Sequence, residues 1–249
     1  MKKILFAVSL LVYGLGYPQK QWSYQGDGAP EHWDEIPGNE KCGERDSQSP
    51  VNIIVSRVKN MNALPNLEFH YDAADIKNIE DNGHSLQFDF KQGSFIRYGS
   101  RNYELIQFHA HEESEHTIDG MRYPLELHFV HKAADGEVLV IGVMVKEGRE
   151  NSYFERLSVF RAIAKNSKED TDIIFNPEKM YPANKAYYTY TGSLTTPPCS
   201  DHVTWIVLKD PITMTEEEIT SIAKYLPKSN NRPIQSLNGR VVLGKGIYN

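Results

Sequence analysis

Apolar and polar residues alternate in several short segments of this chain, and that alternation restricts it to a fold built around a β-sheet. In residues 85–90, Leu86, Phe88 and Phe90 occupy every second position, which is the period of a strand with one buried face. Segments 102–111, 125–131, 138–145 and 203–208 are further strand candidates.

Two stretches of residues have helical spacing instead. Residues 153–164 place apolar side chains at intervals of three and four, and residues 215–226 begin with a Thr cap followed by three Glu residues. Many strands with few helices predict an α+β class in which β structure dominates. The 249-residue chain shows no internal repeat or Pro/Gly/Ser-rich linker, so a single domain is expected.

The first sixteen residues are typical of a secretory signal. A basic start at residues 1–3 precedes an apolar run over 4–15, which is shorter than the roughly 20 residues that a membrane-spanning helix needs. A small-x-small pattern at 14–16 suits a signal peptidase, so we expect a signal peptide over 1–16 and a mature domain over 17–249. The alternative is a buried N-terminal helix. Export predicts a periplasmic or extracellular protein with no membrane span in its mature chain.

The charge and the cysteine content exclude several classes of protein. The net charge of −6 argues against a nucleic-acid partner, and it provides no attraction to an anionic membrane surface. Two cysteines are too few for a disulfide-rich scaffold or a four-cysteine zinc site. In an oxidising compartment Cys42 and Cys199 are free to pair, and the alternative is two separate buried thiols.

Two strand candidates carry histidines in a pattern that suits a metal. His109 and His111 fall on one face of the first strand, and His128 lies in the second. Three imidazoles can hold zinc and leave a fourth position open, and Gln107 and Glu126, each two residues from a ligand, could orient them. The alternative is the exposed polar face of a half-buried strand.

Two further motifs are open to more than one interpretation. Residues 112–117 are either a solvated charge run or part of the site, and their spacing lacks the H-E-x-x-H pattern of metalloproteases. Residues 192–199 contain two adjacent prolines. They form either a rigid turn or a loop that holds a Thr hydroxyl towards the metal.

The ordered motifs of this chain resemble those of the α-class carbonic anhydrases. The resemblance extends from Trp22 to about Arg240. It rests on residues 28–33, 48–53, 82–84, 107–111, 114–117, 126–131, 192–199, 203–208 and 231–235.

The resemblance implies a zinc enzyme that reversibly hydrates carbon dioxide to bicarbonate and a proton. In that family a zinc-bound hydroxide attacks carbon dioxide and a histidine shuttles the proton. The implied zinc ligands are His109, His111 and His128, and the implied shuttle is His84. The competing functions are an acatalytic binding protein of the same fold and an unrelated zinc hydrolase.

The family also implies roles for other positions of this sequence. Glu115 and Thr195 match the pair that orients the hydroxide, and Thr196 lines the substrate side. The other implied groups are an apolar carbon dioxide pocket (Val130, Val140, Leu194, Val203, Trp205), a water chain (Tyr24, Asn82, Gln87) and supports of the ligands (Gln107, Glu126, the backbone of Asn230).

The implied fold is one large, twisted, mostly antiparallel central sheet with short peripheral helices. The family implies a Cys42–Cys199 disulfide and cis bonds at Ser49–Pro50 and Pro197–Pro198. We expect a monomer or homodimer. Two positions depart from the family pattern: Ala110 replaces an aromatic residue, and Glu112 replaces an uncharged one. Both departures bear on packing and electrostatics near the zinc rather than on the reaction.

Overall fold

A computed structural model of the chain describes residues 21–71, 75–153, 160 and 162–247. Most of its regular structure is β-sheet. The strands are β1 Asn52–Ile53, β2 Lys59–Asn60, β3 Leu67–His70, β4 Asp75–Asp81, β5 Leu86–Phe90, β6 Phe95–Tyr98, β7 Arg101–Glu112, β8 Thr117–Ile118, β9 Leu125–Lys132, β10 Val138–Glu147, β11 Ser167–Ile174, β12 Tyr187–Gly192, β13 Val203–Leu208, β14 Ile212–Met214 and β15 Leu243–Lys245. The helices are α1 Glu216–Ala223 and 3₁₀ turns at Gly26–Gly28, Pro30–Glu35, Glu40–Gly43, Val55–Arg57 and Pro177–Met180.

One sheet dominates the described part of the chain. Thirteen strands join it, with the main order β11-β4-β5-β7-β9-β10-β13-β12-β15-β2. Within it the pairs β10–β13, β10–β14 and β15–β2 are parallel, and the other described pairs are antiparallel. The predicted β-dominated, single-domain, mostly antiparallel fold is therefore confirmed, as are all five predicted strands.

The two central strands divide the molecule into a core face and a site face. On β7 and β9, Phe108 and Phe129 are opposite each other in register and fully buried, with ring centroids 5.3 Å apart. Truncating one such Phe to Ala would cost about 3–5 kcal/mol. Because successive strand residues point to opposite faces, the neighbouring His109 and His128 lie on the other side of the sheet.

A bulge in β7 sets which residues reach the site face. The register to β9 shifts between Leu105 and Gln107, leaving Ile106 as the extra residue, 38% exposed. Leu105 is thereby 1% exposed in the core with Phe108, although a regular strand would place it on the face of Gln107. One added residue thus allows both a continuous core and a continuous polar site face.

The predicted C-terminal helix is confirmed as α1, which ends three residues before the expected boundary. Thr215 and Glu218 form the reciprocal cap that the sequence predicted. The core of the other predicted helix, 153–164, lies outside the described residues. For the last part of this segment the prediction is wrong, because residues 160 and 162–164 are not helical. The chain then turns at Asn166, with φ of 59°, into β11.

The predicted covalent features are also present. Cys42 and Cys199 form a disulfide with an S–S distance of 2.08 Å. Ser49–Pro50 and Pro197–Pro198 are both cis. No helix in the described ranges is long and apolar enough to cross a membrane. The predicted signal peptide, residues 1–16, lies outside the described residues.

Candidate active site

Three histidines converge on the site face of the sheet. His109 and His111 alternate along β7, and His128 of β9 is opposite His109 in register. Their ring centroids are 4.6 to 5.3 Å apart, and one potential ligand atom from each lies within 4.8 Å of the others. His111 and His128 are each 1% exposed, whereas His109 is only partly buried. The cluster is therefore accessible from the side of His109.

Acceptors outside the cluster orient the two β7 rings. His109 Nδ1 lies 2.8 Å from Gln107 Oε1, and His111 Nδ1 lies 2.5 Å from the backbone oxygen of Asn230. Because an oxygen of this kind only accepts, each Nδ1 carries the proton. Nε2 of both rings is thus left with a free lone pair.

The third ring is held the opposite way round. His128 Nε2 lies 2.9 Å from Glu126 Oε1, a close contact between a ring nitrogen and a carboxylate. Nδ1 of His128 is then the atom left for a ligand. Supporting roles were expected for Gln107 and Glu126 from their spacing and for the backbone of Asn230 from the family resemblance. The structure places them against His109, His128 and His111, respectively.

Burial and nearby charges set the protonation of the cluster. Burial, and then the neighbouring rings, hold the pKa of His109 well below its usual value, and burial also lowers the pKa of His111. For His128 burial acts in the same direction, but Glu126 and Glu115 outweigh it and raise its pKa. Two neutral rings thus offer lone pairs, and two carboxylates favour a cation beside the third ring.

These residues fit a metal. His111 Nε2 is buried and has no hydrogen-bond partner among the described residues. An unpaired buried polar atom costs about 1–3 kcal/mol, and a metal ligated there would remove that cost. Three imidazole nitrogens are a common ligand set for catalytic zinc.

A second group of potential ligands lies behind the first and acts as its support. His116 Nδ1 lies 2.8 Å from Glu126 Oε1, and His116 Nε2 lies 2.7 Å from the hydroxyl of Tyr190, which donates to Ser49 Oγ at 2.8 Å. Both ring nitrogens of His116 are thus occupied by protein. A Cβ on Gly142 would lie 2.8 Å from Glu126 Oε1, so a residue without a side chain is needed there.

The carboxylate of Glu115 lies beside the cluster. It is fully buried, its Oε1 accepts a hydrogen bond from the backbone N–H of Arg232 at 2.8 Å, and its Oε2 lies 3.5 Å from His111 Nε2. The side chain of Thr195 is also buried. No hydrogen bond joins Thr195 to Glu115 in the described part of the chain, so their pairing stays a prediction.

Arg232 ties both halves of the disulfide to this region. Its guanidinium donates to the backbone oxygens of Cys42 and Ser49 and to Gln48 Oε1, at 2.7 to 2.9 Å. Gln48 Nε2 in turn donates to the backbone oxygen of Cys199 at 3.4 Å. Burial lowers the pKa of Arg232 to about 10, which still leaves it charged at neutral pH.

The predicted carbon dioxide pocket residues belong to one apolar cluster. Its members include Val140, Val203 and Trp205, which are buried, and Val130 and Leu194, which are partly exposed. The Trp205 ring lies 4.9 Å from the His128 ring, and its Nε1 donates to the backbone oxygen of Ser193 at 2.9 Å. An apolar wall therefore borders the histidine cluster. Thr196, in the adjoining loop, is partly exposed.

His84 lies at the rim. Its ring stacks on Trp22, with centroids 3.6 Å apart and an interplanar angle of 16°. Burial, and then the charge of Lys165, lower the pKa of His84, while Asp81 acts in the opposite direction. Asn82 Oδ1 accepts a hydrogen bond from the backbone N–H of His84 at 2.9 Å, which holds the turn.

The three residues predicted to order water do not share a hydrogen-bond network in the described chain. The Tyr24 hydroxyl is buried without a hydrogen-bond partner there, and burial, followed by Glu115, raises its pKa. Gln87 Nε2 donates to Asp89 Oδ1 at 2.6 Å, and the Asn82 side chain bonds within its own turn. A water chain between them stays a prediction.

The two positions that depart from the family pattern, Ala110 and Glu112, both form hydrogen bonds with the side chain of Asn230. Asn230 Nδ2 donates to the backbone oxygen of Ala110 at 2.9 Å, and Asn230 Oδ1 accepts from the backbone N–H of Glu112 at 2.9 Å. Ala110 itself is fully buried in the main core. The backbone that carries His111 is thus held on both sides by one amide.

Two residues important to this site, His116 and Arg232, were not assigned roles from the sequence, although both lie in motifs that it identified. His116 contacts residues 10 and 74 positions away, and Arg232 contacts a residue 117 positions away. Strand periodicity predicts a shared face only within one strand, so it offered no signal for these contacts.

The comparisons with known proteins agree with this geometry. The family model described as eukaryotic-type carbonic anhydrase matches residues 28–245. A protein named carbonic anhydrase from Pectobacterium carotovorum is 36% identical over 223 residues, covering 89% of this chain and 90% of that protein. Human carbonic anhydrase 7 is 37% identical, with coverage of 89% and 96%.

A solved structure shares the architecture as well. The α-carbonic anhydrase of Thermovibrio ammonificans, solved with the inhibitor sulfanilamide, superposes with a TM-score of 0.84 at 36% sequence identity. The match covers 90% of this chain and 98% of that one.

Proposed function

The chain belongs to the eukaryotic-type carbonic anhydrase family, and we propose that it reversibly hydrates carbon dioxide to bicarbonate and a proton at a zinc ion. The observation that carries this proposal is the cluster of His109, His111 and His128 beside an apolar wall. Carbon dioxide and bicarbonate are its substrate and product.

The three histidines would hold the metal through Nε2 of His109, Nε2 of His111 and Nδ1 of His128. Zinc bound by three neutral imidazoles supplies a Lewis acid that allows water to ionise at neutral pH. Gln107, Glu126 and Asn230 hold the rings in the orientation that this requires.

The apolar cluster would receive carbon dioxide. Val140 and Val203 are each 1% exposed, and an uncharged, nonpolar gas loses little by leaving water there. In this proposal Thr195 and Glu115 orient the attacking oxygen, and Thr196 lines the substrate side. Glu115 keeps one oxygen without a hydrogen-bond partner among the described residues, so that oxygen is available to accept from the hydroxyl of Thr195.

His84 would carry the released proton to solvent, through waters ordered by Tyr24, Asn82 and Gln87. An exposed imidazole titrates near neutral pH, and the His84 ring is only partly buried. In a His84→Ala variant we expect a lower kcat in weak buffer, partial rescue by an added imidazole buffer, and an unchanged kcat/KM.

Export completes the proposal. Residues 1–16 would be a cleaved signal peptide, residues 17–249 the mature domain, and the protein periplasmic or extracellular as a monomer or homodimer. The Cys42–Cys199 disulfide supports this, because such bonds persist mainly in oxidising compartments.

Stopped-flow carbon dioxide hydration, with and without a zinc chelator, tests the function. We expect hydration that is lost on chelation and restored by added zinc. A folded, zinc-loaded protein without activity would instead support the acatalytic binding protein.

A further inference from the structure

Two adjoining cavities open beside His84. Their volumes are about 600 and 440 Å³, and they share Trp22, His84 and Lys165 in their lining. Lys228 lines the smaller cavity only. The proposed proton shuttle therefore borders a volume large enough for a small molecule in addition to water.

The charge around these cavities is opposite in sign to that of the whole chain. The chain has 33 acidic and 27 basic residues, yet the described lining of both cavities contains two lysines and no Asp or Glu. Neither Lys165 nor Lys228 forms an ion pair with a described residue. Two uncompensated positive charges therefore lie at this rim.

Local packing holds one of these charges next to His84. The Cε atom of Lys165 lies 3.4 Å from where a Cβ on Gly83 would stand, so the Lys165 side chain lies over the residue that precedes His84. Its charge contributes to the lowered pKa of His84, which makes the protonated ring a readier proton donor. Asp81 opposes this effect but does not line either cavity.

We propose that these cavities bind a small oxyanion buffer, such as hydrogen phosphate, which accepts the proton carried by His84. The proposal rests on the proposed function, because it supplies the acceptor for that proton. The protonated ring gives up its N–H proton to an oxygen of the dianion, which leaves a neutral imidazole and a monoanion. Lys165 and Lys228 attract the dianion more strongly than the monoanion, so the product is released as it forms.

The first test compares two proton acceptors in the zinc enzyme at saturating carbon dioxide and constant ionic strength. In Lys165→Gln/Lys228→Gln, the phosphate concentration that gives half-maximal kcat should rise roughly 3- to 20-fold, the effect of removing two partly screened charges. Loss of the Lys165 charge also raises the pKa of His84, which affects transfer to both acceptors alike, so the dependence on a neutral imidazole buffer should change by much less than the dependence on phosphate. The matched control, Lys146→Gln/Lys179→Gln, removes two exposed lysines that line neither cavity and should change neither dependence.

The second test does not depend on turnover. NMR of the zinc-loaded protein should show the ring protons of His84 shifting in a saturable way with added phosphate, and this shift should weaken in the Lys165/Lys228 variant. If the zinc-loaded protein shows no hydration activity but the phosphate-induced shift is present, the proposed function is wrong and the anion site is still supported. An unchanged phosphate dependence in the variant, or no saturable shift in the wild type, overturns the site while leaving the hydration proposal untouched.

Discussion

His128 and His131 lie three residues apart on β9 and are equally buried, yet their pKa values are shifted in opposite directions because they lie on opposite faces of the sheet. His128 faces Glu126 at 2.9 Å, and the nearby carboxylates raise its pKa against the effect of burial. His131 points into the main core, where its Nε2 lies 2.7 Å from the hydroxyl of Tyr71. There burial lowers the pKa of His131 to about 3.

The difference shows what makes a buried histidine a metal ligand. Depth and strand are the same, so the counter-charge decides. Beside two carboxylates a cation is stabilised, whether it is a proton or a metal; beside a neutral hydroxyl the ring stays neutral and contributes one hydrogen bond to the core. Four substitutions sharpen or break this comparison.

The largest effect is expected from removing the ligand itself. His128→Ala should lose most of its zinc and at least about 100-fold in hydration rate, since altering only a ligand's supporting partner costs 10- to 100-fold. Metal analysis and stopped-flow kinetics measure both. Full zinc content and full rate in this variant would show that the cluster is wrongly assigned.

Removing the counter-charge should have the next largest effect. Glu126→Gln keeps the shape of the side chain but lacks the charge that favours a cation beside His128, so zinc affinity should fall about 10- to 100-fold. Competition with a chelator gives the affinity. Equal affinities in Glu126→Gln and the wild type would contradict the role given to this carboxylate.

The core histidine should affect stability rather than metal binding. The folded pKa of His131, about 3, lies below its ordinary 6.5, so the unfolded chain binds more protons. The stabilisation from neutral His131 is therefore complete above about pH 6.5 and is lost as the pH falls towards 3, by at most about 1.4 kcal/mol per pH unit.

His131→Gln keeps a hydrogen-bonding side chain that does not titrate. Its free energy of unfolding minus that of the wild type should increase as the pH falls from 7 to 5, as measured by denaturant unfolding. Parallel pH curves for the two proteins would show that His131 does not titrate as its surroundings predict.

The smallest effect is expected from the hydroxyl that faces His131. Tyr71→Phe removes the hydroxyl that lies 2.7 Å from His131 Nε2 and 3.4 Å from the hydroxyl of Tyr181, and it should lower the free energy of unfolding by about 1–2 kcal/mol, while zinc affinity stays at the wild-type value. A drop in zinc affinity would mean that the two faces of β9 are coupled, which would break the comparison.

The sequence predicted five strands but missed others, both buried ones such as β12, Tyr187–Gly192, and polar ones. β5 and β9 were found from their alternation, whereas β11, Ser167–Ile174, is a polar edge strand without that pattern. Its strand conformation is stabilised by pairing with β4, a contact between segments about 90 residues apart. The bulge at Ile106 was not predicted either, because a bulge is defined only by the register against a partner strand.

By itself the sequence determined that His109 and His111 share a face and that Cys42 and Cys199 could pair, because alternation within a strand and the chemistry of two thiols are local properties. Only the tertiary structure decided that His128 is opposite His109, that Glu126 and His116 stand behind it, and that His131 faces a tyrosine instead of a carboxylate. The physical reason is that the charge state of a buried group depends on which atoms surround it within a few ångströms, and those atoms come from segments that only folding brings together.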